Sequence, residues 1–353
     1  MPHTPEPNAT EQFYALQGQL RDYAQTIDLF DQDDFDVLVI PSLSLDQDQL
    51  SKIPGFCHYE ERLLFSLIRL RNPLTRLIYV TAQPIAPLIV DYYLQFLAGI
   101  PFSHARDRLL LFSVQDTSLK SLSQKLLERP RLLERIRQAL RPNRSYMVCY
   151  NSTPLEQALS LRLGIPLLAC PPDLLHWGSK SGSREIFAQT QIQHPDGSKR
   201  VWNEADLCAA IAQLWQRNPD LKQVVIKLND GFSGEGNALL DLRSLGQLAP
   251  DARHAALPKA LKTLRPQGEG MSADAFLQRI PDLGVLAEVF VEGEEKRSPS
   301  FQGYIMPNGE VKILSTHDQI LGGPDGQIYL GCRFPADAAY RLAIQAAGVK
   351  VGQ

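Results

Sequence analysis

Residues 224–242 read VVIKLNDGFSGEGNALLDL. A buried, β-branched strand carries Lys227 to its end, a loop follows with Gly231, Ser233, Gly234 and Gly236, and a second strand begins at Asn237. Glycines let backbone N–H groups approach an anionic ligand and admit positive φ. A lysine at a strand end supplies a point charge for phosphate. The pattern predicts a clamp for nucleotide phosphates built on a strand–loop–strand hairpin. The plain alternative is a hairpin that merely needs glycines, and a lysine within an otherwise apolar strand speaks against it. The loop is no Walker A sequence, because GxxxxGK[ST] is absent, and no helix follows it as the dinucleotide fingerprint requires. In protein kinases the lysine comes after the glycine loop and an HRD segment follows; here Lys227 precedes the loop and HRD is absent.

Downstream, AEVFVEGEEKRSPSFQG (residues 287–303) is an apolar strand leaving through Glu288, Val289, Phe290 and Val291 into an acidic turn. Exposed backbone groups there suit an adenine edge, and a carboxylate a few residues on suits ribose hydroxyls; a solvated acidic strand end is the plain alternative. The Asn308-Gly309 pair marks a hairpin between antiparallel strands within residues 300–321, followed by a strand at 327–334. Residues 250–270, rich in Pro, Gly and basic residues, read as an exposed or mobile insertion.

Upstream, the texture is different. Strands at 36–43, 76–85, 108–115, 145–154 and 165–170 alternate with helices at 58–70, 90–100, 121–140 (broken near Pro130) and 154–163. That alternation predicts βαβ units and a doubly wound, mostly parallel sheet. Pro171-Pro172 is the predicted boundary, giving a polar N-terminal segment 1–35, a Rossmann-like domain 36–172 and a second domain 173–353. In the polar segment only residues 19–30 suggest a short helix.

Taken in this order, the Lys227 strand with its glycine loop and then E-x-x-x-x-G-x-E resemble the ATP-grasp superfamily. GSKSGSREIFA (178–188), VVIKLNDGFSGEGN (224–237), EGEEKRSPSFQ (292–302) and STHDQILGGPDGQIYLGCRFPAD (315–337) bring the likeness closer to carboxylate–amine ligases such as the pheganomycin-type peptide ligases. The resemblance implies an α/β fold: a Rossmann-like, doubly wound pre-ATP-grasp domain followed by an α+β ATP-grasp region. It implies Lys180 as a first ATP-contacting lysine and Lys227 on the α/β-phosphates. Gly231, Ser233, Gly234 and Gly236 would cover the β/γ-phosphates. Glu288 would accept from the adenine amino group, the backbone of Val289 and Val291 would make the other adenine contacts, and Glu295 would bind the ribose. Arg297 and Arg333 would serve an acyl phosphate or a substrate carboxylate, which arginine binds bidentately. Lys180 as a solvated loop residue and the two arginines as surface charges are the alternatives. His317 and Asp318 are neighbours in a strand and point to opposite faces, so they form no dyad.

The implied activity is ATP-dependent amide or peptide bond formation through an acyl phosphate, with ATP and Mg2+ as cofactors and a small-molecule carboxylate and amine as partners. ATP-grasp enzymes hold magnesium with an acidic residue and a later E-x-N pair. No E-x-N follows Glu295, so the expectation is an ATP-grasp region incomplete at its C-terminus that holds Mg-ATP poorly, and the magnesium ligands stay unassigned. An ATP-binding module without turnover and an ATP-grasp phosphotransferase are the other readings.

Composition bounds the rest. The 353 residues fit about two domains. Lys plus Arg is 36 against 39 for Asp plus Glu, a net charge of −3 without a basic surplus, so no nucleic-acid partner is expected. No apolar run is long enough for a bilayer, and the N-terminus has no signal-peptide pattern. Cys57, Cys149, Cys170, Cys208 and Cys332 are scattered without CxxC, which predicts neither zinc site nor disulfides and a cytoplasmic location.

Overall fold

The computed structural model describes residues 7–23, 34–45, 47–51, 53–230, 236–268, 270–293, 296–322, 326 and 328–353. The chain divides into two compact units, Met1–Leu174 and Leu175–Gln353.

The first unit holds a four-stranded parallel sheet of β1 (Asp36–Ile40), β2 (Arg76–Thr81), β3 (Leu109–Ser113) and β4 (Ser145–Cys149) in the order β3-β2-β1-β4. β1 is buried along its whole length, as a parallel strand covered on both faces must be. The predicted helix at 121–140 is two helices, Leu122–Leu127 and Pro130–Ala139, because Pro130 cannot continue one and suits the first position of the next. Helix Pro154–Leu163 begins with a capping box between Thr153 and Glu156.

Two expectations need correction. The N-terminal stretch is no mere polar tail: helix Pro7–Tyr23 sends Phe13 and Leu20 into the two cores that flank the sheet. The strand expected at 165–170 is absent; only Leu167 bridges to Met147. Leu167 pairs with Met147 through Pro166 O and Leu168 N; Pro166 has no N–H to carry the ladder further back, and the Gln17 side chain takes both backbone groups of Leu167, each at 2.8 Å, on the edge facing away from β4.

The second unit contains two antiparallel sheets. In the first, β5 (Gln223–Leu228), β6 (Asn237–Asp241), β7 (Arg265–Pro266) and β8 (Val285–Val289) run in the order β7-β6-β5-β8. One face, with Val224, Ile226, Leu228, Val285 and Ala287, packs on helix Glu204–Arg217 and its neighbours. The residues expected to form an exposed insertion contribute to this core. Helix Pro250–Leu261 buries Leu257 and Leu261, and Leu264 follows one turn later. Their i, i+4, i+7 spacing is an apolar stripe that the surrounding Pro and basic residues disguise. In the second sheet β9 (Pro299–Ile305), β10 (Val311–Gly322) and β11 (Ile328–Arg333) run in the order β11-β10-β9, with the expected turn at Asn308-Gly309 closed by the Gly309 N–H on Met306 O. Helix Arg341–Gly352 packs against it, with Gly348 against the Phe301 ring.

Leu257→Ala is expected to lower unfolding stability by about 2–5 kcal/mol in a denaturant titration, since it opens a cavity in a closed core; a loss near zero would return 250–261 to the surface. In the first unit, burial pushes the Glu60 carboxyl from 4.5 up to about 7, although the Ala82 N–H and Lys125 act against it. A raised carboxyl penalises the ionised form, so stability is full below pH 4.5 and falls as pH rises to about 7. Glu60→Gln should flatten that fall in thermal melts across the same window.

Candidate functional site

Alternation in β5 and β8 divides their side chains between two faces. With Val224, Ile226 and Leu228 committed to the core, Val225 and Lys227 face the other way, and on β8 so do Leu286 and Glu288. Val225 stands opposite Glu288, which makes Lys227 and Glu288 diagonal neighbours within reach of a long side chain. The Lys227 Nζ donates to Glu288 Oε2 at 2.6 Å. The other carboxylate oxygen, Oε1, accepts from Arg184 Nη1 at 3.1 Å. Glu288 is only 7% exposed, so both cations neutralise a charge that water barely reaches.

Arg184 belongs to helix Lys180–Gln189, whose start is fixed to the end of β5. Ser179 caps it by accepting from Gly182 N, and Gly182 lies so close to the His176 carbonyl that no Cβ fits. Asn229, buried just beyond β5, accepts from Ser181 N at 2.9 Å through Oδ1 and from Lys180 N at 3.3 Å through its carbonyl, and donates its own N–H to Gly284 O. These bonds bring Lys180 near Lys227. Burial first, and then the Lys227 charge, push the Lys180 ammonium below the ordinary lysine range, while Asp230 and Glu288 act in the opposite direction. Three cations therefore meet two carboxylates here, which leaves a positive surplus for an anionic ligand. On the same face Asn237, opposite Lys227, keeps a buried Oδ1 without a hydrogen-bond partner among the described residues.

Residues 172–283 match the family described as "IQCH-like, ATP-grasp". The chain is 32% identical to the L-propargylglycine–L-glutamate ligase of Streptantibioticus cattleyicolor over 86% of its own length and 62% of that protein's. It is 23% identical to IQ motif-containing protein H of Danio rerio over 90% of its length and 34% of that protein's. The chain thus spans less than two thirds of either relative. The fold is that of N5-carboxyaminoimidazole ribonucleotide synthetase in its ADP complex, with a TM-score of 0.51 at 10% identity, covering 90% of this chain and 63% of that one. Residues 172–283, most of them in the second unit, are thus similar to an ATP-grasp domain.

Within the second unit, the expected residues Lys180, Lys227 and Glu288 come together. Gly236 closes the hairpin, accepting from Leu228 N at 2.8 Å. Gly231, Ser233, Gly234 and Glu295 lie outside the described residues. The expected adenine contacts need revision in detail. The Glu288 carboxylate is occupied on both oxygens, and the Val289 N–H already donates to Asp196 O at 2.9 Å. Val291 is 63% exposed. Arg297 precedes β9, where its charge acts on Tyr340, and Arg333 is an exposed residue of β11 opposite Asp318, so both belong with the other sheet's elements. Asp318 anchors the following turn, accepting from Tyr340 Oη at 2.7 Å and Asp337 N at 2.9 Å, which gives it a structural role separate from His317.

Arg184, Asn229 and the strap 195–201 escaped the sequence reading. The strap pairs along the free edge of β8 through Ser198 N on Ala287 O and the Val201–Val285 exchange. Its text, PDGSKRV, has no strand pattern; Arg184 stood in a quoted motif without a role, and Asn229 directly after a strand was its one visible signal. Two clefts of about 480 and 460 Å3 flank helix Glu204–Arg217, and neither is lined by Lys227 or Glu288.

An anion bound here should raise the Lys180 ammonium back toward the ordinary lysine range. Nucleotide binding is expected to take up protons below the ordinary lysine range, read as buffer-dependent heats in titration calorimetry, and Lys180→Met should abolish the uptake.

Proposed function

We propose that the chain acts in ATP-dependent carboxylate–amine ligation through an acyl phosphate. The observation that carries this reading is the Lys180–Lys227–Arg184–Glu288 cluster beside the glycine hairpin of an ATP-grasp domain. The 32% identity to a protein named for joining propargylglycine to glutamate supports it. A substrate carboxylate oxygen attacks the γ-phosphorus and ADP leaves with the bridging oxygen. An amine then attacks the acyl carbon, phosphate leaves, and the amine loses a proton. Lys180 and Lys227 neutralise phosphate charge and fix its place, which suits a reaction whose catalysis is chiefly positioning and electrostatics. Gly231, Ser233, Gly234 and Gly236 are proposed to cover the phosphates, Val291 to meet the adenine through its backbone, and Glu295 the ribose. Arg297 and Arg333 are assigned to the acyl phosphate or substrate carboxylate.

Mg2+ would neutralise the same phosphates in such a reaction. Among the described residues no group of three or more His, Cys, Asp or Glu is placed to hold a metal, so no step is assigned to it. The partners are a small carboxylic acid and an amine of amino-acid type. Five free cysteines suit the reducing cytoplasm, where we place the protein. Among the described residues no helix is long and apolar enough to cross a membrane.

The test is ADP release with Mg-ATP and pooled amino acids, beside a thermal-shift titration with ATP. Release that depends on two amino-acid pools is the expected result, with Lys227→Met reducing it by about 100-fold. Release without an amine would make the protein a phosphotransferase. A thermal shift without release would leave a binding module. Neither shift nor release would overturn the nucleotide reading.

A further inference from the structure

Arg184 is the cation that the sequence motifs leave without a role, and its surroundings are built around it. Its side chain is 14% exposed against 9% for that of Glu288 and 26% for that of Lys227. The Arg184 Nη1 donates to Glu288 Oε1 at 3.1 Å and to Pro195 O at 2.8 Å. The strap passes directly over the guanidinium: a Cβ on Gly197 would lie 2.8 Å from Arg184 Cζ and Nη2, so only glycine fits there. The strap itself is pinned. The Asp196 carboxylate accepts from Arg217 Nε at 3.0 Å and from Asn218 Nδ2 at 2.8 Å, and the Asp196 carbonyl takes the Val289 N–H. The guanidinium therefore sits in a slot between strap and strand with little freedom to leave.

The two cations use different oxygens of Glu288, Lys227 taking Oε2 and Arg184 taking Oε1. One can depart without disturbing the other. Lys227 lies beside the glycine hairpin, is the more exposed of the two and has a flexible stem, whereas Arg184 is locked. If Lys227 turned to a phosphate with no second cation present, a buried carboxylate would be left uncompensated, a severe penalty. We propose that Arg184 is a positioning residue that holds the charge of Glu288 so that the Lys227 ammonium can be released to the phosphates of a bound nucleotide. This inference rests on the nucleotide reading of the site. It adds that the ion triad is a handover device, with Arg184 as its fixed member and Lys227 as its mobile one.

A double-mutant cycle tests it. ATP affinity is measured by calorimetry on the full chain for wild type, Arg184→Gln, Arg184→Lys, Glu288→Gln and the Arg184→Gln/Glu288→Gln double variant. Arg184→Gln should weaken ATP by about tenfold, the scale of one charge-assisted hydrogen bond, while kcat at saturating ATP changes less than about threefold. Arg184→Lys keeps the charge and should bind within about threefold of wild type. In the Glu288→Gln background the Arg184→Gln effect should shrink to less than about twofold, because no buried charge then needs a partner. A second arm uses no nucleotide: modification of Lys227 by an amine-reactive ester, followed by mass spectrometry, should be slower in Arg184→Gln than in wild type, because Lys227 is then the sole partner of Glu288. Equal losses in both backgrounds, Arg184→Lys as weak as Arg184→Gln, or unchanged Lys227 labelling would overturn the handover. Should Arg184→Gln not fold, Arg184→Lys decides: a tenfold loss there sinks the proposal. Wild type that fails to bind ATP but shows the labelling difference would sink the nucleotide reading and leave the ion triad standing.

Discussion

Glu288 is the group on which the second unit turns. It is a nearly dry carboxylate near the end of β8, the last strand of its sheet, where an unpaired charge would be costly. Lys227 comes to it from β5, the neighbouring strand, and Arg184 from a helix that lies 40-odd residues earlier in the chain than Lys227. Meeting both demands fixes the position of helix Lys180–Gln189, the course of the strap over Gly197 and the pairing of β5 with β8. The same pairing sets Leu286, not Glu288, directly opposite Lys227, so the contact is diagonal and reachable by a lysine stem.

That geometry also explains the electrostatic surplus. The ratio of charges alone does not mark the site, because around Asp36 in the first unit Arg76, Arg141 and Arg144 likewise meet two carboxylates, Asp34 and Asp36; the second cluster differs in holding a half-buried lysine beside another lysine. In the second unit Lys180 is added beside the Lys227–Glu288 pair, and burial together with the Lys227 charge pushes its ammonium below the ordinary lysine range. A group so placed is poised to gain from an incoming anion, which is why the cluster suits phosphate better than it suits a closed core.

Much of the architecture was legible because it rests on local chemistry. The run Gln223–Leu228 and the restart at Asn237 are found where the pattern puts them, since a β-branched run followed by glycines has few other conformations. The helix over 154–163 also lies where the alternation puts it, its start fixed by Thr153, Pro154 and Glu156. Errors arose where distant residues decided. The 165–170 run has strand composition, yet it meets β4 only at Leu167, whose outer edge is taken by the Gln17 side chain from 150 positions away. The 250–261 segment has loop-like composition, yet Leu257 and Leu261 are claimed by a core that other elements complete.

The sequence by itself determined the α/β character of the first unit, the glycine hairpin with its lysine, and the acidic strand end after it, because each is written in residues adjacent along the chain. Only the tertiary structure decided that Glu288 faces two cations rather than an open adenine edge, that Arg184 is one of them, and that Asn229 and the strap hold the arrangement. The physical reason is that ion pairs and edge pairing are chosen by proximity in space, and a buried carboxylate takes whichever cations the fold delivers within reach.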